Sequence, residues 1–330
     1  MPVRDAAETL PGAVQSILGQ TETDWELVAV DDGSGDGSLA LLRAYGRGDA
    51  RVRVLATDRR GLVHALNRGL QAARGPLIAR MDADDVSRTE RLARQRRYLE
   101  AHPGVGVVAS RVVFAGDGDR AAGYARYAAW TNALLSPEAI SLARFVEAPL
   151  VHPSVMFRRE LPLGLGAYRE GDFPEDYELW LRWLEAGVRM AKLAEPLLVW
   201  RDSATRLSRR DPRYRPEAFH RVKAGYLARW LAIHNAHHPR IVLWGAGRST
   251  RRRARFLAQE GVDIRSYIDI DPRKIGRAIA GRPVAGPDPL PAPGTCFIVA
   301  AVGSLNAREQ IEGALTGAGY RPGRDYVLAA

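Results

Sequence analysis

Apolar positions along the first hundred residues switch repeatedly between helical and strand spacing. Leu10 to Leu18 has apolar residues at helical intervals, and Trp25 to Val30 is a short apolar run ending in Asp31-Asp32-Gly33-Ser34. Ser38 to Tyr45 is helical again, Val52 to Leu55 reads as a strand, and Gly61 to Ala73 as an amphipathic helix. Leu77 to Met81 is then a strand ending in Asp82-Ala83-Asp84-Asp85. This βαβαβ alternation predicts an α/β fold, with a parallel sheet covered by helices. Ligands of such sheets bind beyond the carboxyl ends of the strands, where both acidic runs fall.

The pattern continues with a helix over Arg91 to Glu100, a strand over Val105 to Ser110 and a Gly/Asp-rich loop over Ala115 to Arg120. Glu175 to Arg182 has helical spacing, Arg201 to Arg215 is polar and reads as loop, and Phe219 to Ile233 is a helix. His234 to Pro239 has the composition of a linker. Beyond it a second α/β unit begins: strand Ile241 to Trp244, turn Gly245-Ala246-Gly247, helix Ser249 to Gln259, strands Ile264 to Ile270 and Phe297 to Val302, and helix Asn306 to Ala318. The expected domains are residues 1–237 and 238–330.

Composition changes this picture little. Hydrophobic residues at 46% and charged residues at 26% suit a globular core. The formal net charge of +10 comes almost wholly from Arg, in a chain also rich in Ala and Gly. That bias weakens the case for a nucleic-acid partner, and none is expected, whereas peripheral contact with an anionic membrane surface stays open. A single cysteine, Cys296, excludes a disulfide framework and any multi-cysteine zinc site. No apolar stretch approaches the roughly 20 residues that span a bilayer. Met1 to Pro11 lacks the apolar core of a signal peptide, so a cytoplasmic location is expected, extending to the inner face of the membrane.

Asp82 and Asp84 stand two apart at a strand end, where alternation points both to one side. Hard cations such as Mg²⁺ or Mn²⁺ take such oxygen ligands and bridge them to phosphates. The same residues also suit a solvated turn, with Asp85 as a helix cap. Asp31-Asp32 offers acceptors for a nucleobase or ribose, yet Asp, Gly and Ser are ordinary turn residues. Glu175-Asp176 offers a general base, or simply favourable charge at a helix N-terminus.

Their order along one chain is more specific. Val30-Asp31-Asp32-Gly33-Ser34, Asp36-Gly37-Ser38, Asn67 with Gly69, Met81-Asp82-Ala83-Asp84-Asp85, and Glu175-Asp176-Tyr177-Glu178-Leu179-Trp180-Leu181-Arg182 together resemble glycosyltransferase family 2 of the GT-A fold. Ala79-Arg80-Met81 before the acidic run, with Arg91-Leu92 and Gln95 after it, is similar to the bacterial surface-polysaccharide branch. The resemblance covers roughly residues 1 to 235. It implies an inverting transfer of a sugar from a nucleotide-sugar donor to a glycan or lipid-linked acceptor hydroxyl. By the same resemblance Asp31, Asp32 and Asn67 hold base and ribose, and Asp82 and Asp84 bind the metal or its donor. Asp176, beside Glu175, is the implied base, and Arg201 approaches the diphosphate.

The chain departs from the family in two places. Met1-Pro2-Val3-Arg4-Asp5 resembles only the turn after the family's first strand, so a misplaced start or a truncation is expected. Trp200-Arg201-Asp202-Ser203 lacks the His of the family's Tyr-Arg-x-His segment. In the second unit, Gly245, Gly247 and a strand-end Asp269 resemble a dinucleotide fingerprint in which Thr250 replaces the third glycine. That unit looks like the small Rossmann-like domain found beside sugar acyltransferases and epimerases. The rival readings are a nucleotidyltransferase, an NAD-dependent oxidoreductase working through Gly245, Gly247 and Asp269, and a catalytically dead binding module.

Overall fold

The computed structural model describes residues 1–116, 121–203 and 206–330, so most of the expected loop before Arg120 lies outside the described residues. Two compact units are formed. The first takes in Met1–Ser141, Pro149–Gly171 and Arg182–Asp211, the second Leu142–Ala148, Asp172–Leu181 and Pro212–Ala330.

The first unit opens with β1 (Pro2–Val3), α1 (Leu10–Leu18), β2 (Leu27–Asp32), α2 (Ser38–Gly48), β3 (Val52–Thr57) and α3 (Leu62–Ala72). Strand β2 is buried along its whole length because both of its faces are covered. Leu27 and Ala29 pack with Leu10, Ala13, Val14 and Ile17 of α1, while Val28 and Val30 pack with Ala65 of α3. Period-2 alternation against period-3.6 helix faces makes this two-sided core, as the apolar pattern predicts. Among the described residues, the parallel sheet of this unit is β1-β2-β3. β1 has two residues, pairing Pro2 with Val30 and Val3 with Asp31. Leu27 and Val28 face a cavity of about 320 Å³ also lined by Ala65, Leu66, Leu77 and Ile78.

The next strand does not extend that sheet, contrary to the single parallel sheet expected. β4 (Leu77–Ala79) pairs antiparallel with β7 (Met156–Arg158), at one edge of a second, mixed sheet. Its order is β4-β7-β6-β8-β5, where β5 is Val86–Ser87, β6 Val105–Ala115 and β8 Arg189–Arg201. Helix α4 (Arg91–Ala101) packs on it through Leu92 and Leu99, beside Val105, Val108 and Met156. Helices α5 (Ala122–Ala133), α6 (Pro137–Ala143) and α7 (Glu160–Leu165) intervene, and α9 (Leu207–Arg210) interrupts the stretch expected to be loop.

In the second unit, β9 (Arg240–Trp244), β10 (Asp263–Ile268), β12 (Arg282–Ala285), β13 (Ile298–Ala300) and β14 (Tyr326–Leu328) form a parallel sheet in the order β12-β10-β9-β13-β14. β11 (Ala278–Ile279) adds to its edge in antiparallel sense. Helices α11 (Arg248–Gln259) and α12 (Leu305–Gly317) belong to it. The unit starts earlier than residue 237. Tyr226, Leu227, Trp230 and Leu231 of α10 (Pro216–His234) share a core with Ile241, Leu243, Leu257 and Ile264, so the helix folds with the sheet that follows it. The expected linker is a tight turn in which the buried Asn235 donates through its side-chain amide to Arg240 O at 2.9 Å. Phe145, Tyr177 and Leu181 join the same core, the last two on α8 (Glu175–Glu185). Among the described residues no helix is long and apolar enough to cross a membrane.

Candidate active site

The acidic turn between β4 and β5 gathers three carboxylates. Oxygens of Asp82, Asp84 and Asp85 lie within 4.8 Å of one another, so the cluster exceeds the expected pair by Asp85. Its members differ in environment. Asp82 is ion-paired with the buried Arg80. Asp85 is 1% exposed and accepts the backbone N–H of Arg201 on Oδ1 at 2.9 Å, while its buried Oδ2 has no hydrogen-bond partner among the described residues. Burial and the charge of Asp82 push the Asp84 carboxyl up to about 6, and the same causes raise Asp85 well above the carboxylate range. An orphaned carboxylate oxygen beside two further carboxylates is the donor set a hard divalent cation takes. The residues present therefore fit Mg²⁺ or Mn²⁺.

At the end of β2 the two aspartates have different occupations. Asp32 accepts the N–H of Arg60 on Oδ1 at 2.8 Å and that of Gly61 on Oδ2 at 2.9 Å, so it shapes the loop after β3. Asp31 accepts the Ser34 N–H on Oδ2 at 3.2 Å and leaves a buried Oδ1 without a partner among the described residues. Gly33 adopts φ 67°, and a Cβ there would meet Arg59 N at 2.9 Å, which accounts for glycine in this turn. Asn67 spends both halves of its amide on Tyr168: Nδ2 donates to Tyr168 O at 2.9 Å, and Oδ1 accepts Tyr168 N–H at 3.1 Å. Those two bonds use one N–H and one lone pair of the amide and fix its orientation. Tyr168 in turn holds the buried His152, whose Nε2 lies 2.7 Å from its hydroxyl. Burial and the Arg80 charge keep His152 neutral, well below its ordinary range.

Arg201 meets the acidic turn through its backbone. Its guanidinium is exposed, and Nη1 lies 3.6 Å from where a Cβ on Gly12 would stand. Besides Arg80, a second cation acts on the cluster: Arg206, a residue the sequence motifs do not single out. Its Nη1 donates to Arg201 O at 2.8 Å, and it stacks 4.4 Å over the Trp200 ring and 5.3 Å over Tyr124. Its charge lowers the affinity of Asp84 and Asp85 for protons. Trp200 beside an arginine-rich stretch is the available sequence signal, but no spacing rule connects it to residue 85.

In the second unit, α8 begins with Glu175 and Asp176. Glu175 is 2% exposed and accepts the Tyr214 hydroxyl at 2.6 Å. Burial and the two carboxylates raise the Tyr214 phenol far above its ordinary range, so it stays a donor. Asp176 is half-buried, and its Oδ1 accepts its neighbour Tyr177's N–H at 2.7 Å. Farther on, Gly245 has φ 114°, and a Cβ there would meet Thr250 and Val302 at 3.0 Å. Gly247 has open space. Asp269 accepts Ala246 N–H at 2.8 Å and Asp271 N–H at 2.9 Å and pairs with Lys274 at 3.2 Å. The carboxylate of the expected fingerprint is thus engaged in holding its own glycine turn.

Comparison with known proteins agrees on one family. The profile described as "Glycosyl transferase family 2" matches residues 1–162. The chain is 33% identical over 222 residues to the putative glycosyltransferase EpsE of Bacillus subtilis (strain 168), covering 65% of this chain and 76% of that protein. It is 29% identical over 208 residues to the amylovoran biosynthesis glycosyltransferase AmsE of Erwinia amylovora, covering 63% and 76%. With the O-antigen biosynthesis glycosyltransferase WbnJ of Escherichia coli the identity is 30% over 194 residues, covering 57% and 72%. Among solved structures, residues 1–349 of S. aureus TarS superpose with a TM-score of 0.54 at 17% identity, covering 78% of this chain and 68% of that one. This last likeness is one of fold.

Proposed function

The chain belongs to glycosyl transferase family 2, and from that premise we propose that it moves a sugar, with inversion, from a nucleotide-sugar donor to an acceptor hydroxyl at the acidic turn. The observation that supports this most is the clustering of Asp82, Asp84 and Asp85 within 4.8 Å, with one buried Asp85 oxygen unpartnered among the described residues. In this reading Asp84 and Asp85, with Asp82, hold Mg²⁺ or Mn²⁺. The cation, when bound, offsets the negative charge that develops on the departing diphosphate.

The chain's own groups do the rest. Asp31 Oδ1 accepts from the donor's base or ribose, and Asp32 keeps the 58–61 loop in the shape that receives it. Arg80 holds the Asp82 carboxylate in place. Asp176 takes the acceptor proton as the hydroxyl attacks the anomeric carbon from the face opposite the leaving group. Glu175, engaged with Tyr214, fixes the start of the helix that presents Asp176. The relatives' names support an acceptor that is a growing surface glycan, free or lipid-linked. The arginine-rich surface suits peripheral attachment to an anionic membrane face. We assign transfer to the family-like part, roughly residues 1–235, and no ligand to the Rossmann-like remainder.

A panel of UDP-, GDP- and dTDP-sugars with Mn²⁺, read by released nucleoside diphosphate, tests this reading. Release of the diphosphate from one donor class is expected. Release of pyrophosphate from a nucleoside triphosphate instead would replace it with nucleotidyl transfer.

A further inference from the structure

Arg91, the first residue of α4, has no exposed surface. Its guanidinium donates to Arg80 O at 2.6 Å, Val155 O at 3.3 Å, Ser87 Oγ at 3.1 Å and Gln95 Oε1 at 3.1 Å, and it lies 3.5 Å from the sulfur of Met81. Gln95 is equally buried and passes the network on, donating to Ser154 O at 2.8 Å and Val108 O at 3.2 Å. Among the described residues, every acceptor of an Arg91 hydrogen bond is neutral. A wholly buried cation without a directly paired carboxylate is a costly way to fill space, and a hydrophobic side chain of similar volume packs the same site at lower cost. Burial, opposed by the Asp85 charge and helped by that of Arg80, pushes the Arg91 guanidinium down to about 10.

What the fork does contact is informative. Two of its partners, the Arg80 carbonyl and the Met81 sulfur, belong to the two residues immediately before Asp82, and a third, Ser87, follows Asp85 by two. The planar guanidinium reaches both sides of the acidic turn at once and anchors them to Val155, the residue before β7, and to β6, through Gln95. Lysine offers a point charge and no such fork.

We propose that Arg91 is the positioning residue of the acidic turn, clamping the peptide on either side of Asp82, Asp84 and Asp85 so that their oxygens converge on one divalent cation. This rests on the reading of that turn as a metal site, and a ligand set held this closely loses affinity when its support is loosened.

The test measures Mn²⁺ binding by calorimetry to the full chain for wild type, Arg91→Lys and Gln95→Met, with melting temperatures alongside. Arg158→Lys is the matched control. Arg158 is another inward-facing arginine of the same unit, bonded to the carbonyls of Leu99 and Val105 and remote from the turn's peptides. Arg91→Lys is expected to raise the Mn²⁺ dissociation constant at least about tenfold, and Gln95→Met about threefold or more. Excess Mn²⁺ is expected to restore part of the Arg91→Lys turnover, a rescue that general loss of stability does not give. Arg158→Lys is expected to lower the melting temperature while leaving Mn²⁺ affinity within about twofold. Wild-type Mn²⁺ affinity in Arg91→Lys overturns the proposal, as does equal weakening by Arg158→Lys. If Arg91→Lys does not fold, Gln95→Met decides. No Mn²⁺ or Mg²⁺ binding by wild type, even with UDP or GDP present, instead removes the metal reading itself.

Discussion

The backbone N–H of Arg201 donates to Oδ1 of Asp85 across 116 residues of sequence, at 2.9 Å. This bond ties the end of β8 to the acidic turn and leaves the other Asp85 oxygen buried and unused. The aspartate is thereby oriented on one side and unsatisfied on the other, an arrangement that costs stability in the metal-free protein and is relieved by a cation.

Removing one charge from the cluster should therefore separate stability from activity. Asp84→Asn is expected to lower kcat/KM at least about 100-fold. Because ionised Asp84 is disfavoured by burial and by Asp82, the same change should raise the melting temperature of the metal-free protein at pH 7.5 by about 2 °C or more. A differential scanning measurement without metal checks the second half.

The pH dependence follows with a definite sign. The folded-state pKa of Asp84, about 6, lies above its ordinary value of 3.8. The ionised side chain thus costs stability above pH 6, and that cost is relieved as pH falls from 6 toward 4. Metal binding needs the ionised form, so the rise in melting temperature on adding Mn²⁺ should be full at pH 7.5 and should shrink steadily below pH 6. Thermal melts with and without Mn²⁺ across pH 5 to 8 measure both trends.

The two aspartates ending β2 should behave oppositely. Asp32→Ala removes two charge-assisted bonds to the backbone of Arg60 and Gly61 and should cost about 3 kcal/mol of unfolding free energy. Asp31→Asn should keep stability within about 1 kcal/mol and weaken nucleoside diphosphate binding about tenfold. Denaturant unfolding and calorimetric titration distinguish them.

At the start of α8, Asp176→Asn should lower kcat at least about 100-fold with the donor KM within about twofold, since a proton acceptor is lost and donor contacts are kept. Glu175→Gln preserves an acceptor for the Tyr214 hydroxyl and should reduce kcat by less than about tenfold. Steady-state kinetics with saturating acceptor checks the pair.

Local signals account for what the sequence made legible. Strand β2 and helices α1 and α3 follow from apolar spacing, and the acidic turns from carboxylates at strand ends. Pairings across long separations carry no such mark. The family pattern marks Asn67 only as a donor contact, and its bonds to Tyr168, 101 residues away, are a structural role that no local spacing announces. The 13-residue β8 was missed because Lys192, Glu195 and Pro196 interrupt its apolar run, and α5 because its Ala-rich sequence has almost no amphipathic face. Arg91 and Gln95 stood out as family-like residues. Their complete burial was not legible, since charged and amide side chains are ordinarily surface residues. The second unit's start was misplaced for the same reason of range: α10 is helical by its own pattern, but which sheet it covers is decided by Trp230 and Leu231 meeting Ile241 and Leu243.

The most direct measurement is donor turnover against Mn²⁺ concentration, for wild type and Asp84→Asn, with the donor class that the panel identifies. The account predicts saturable activation of wild type, loss of turnover in EDTA, and a rate at least about 100-fold lower in Asp84→Asn at every Mn²⁺ concentration. Full wild-type turnover in EDTA, or an unchanged rate in Asp84→Asn, contradicts it.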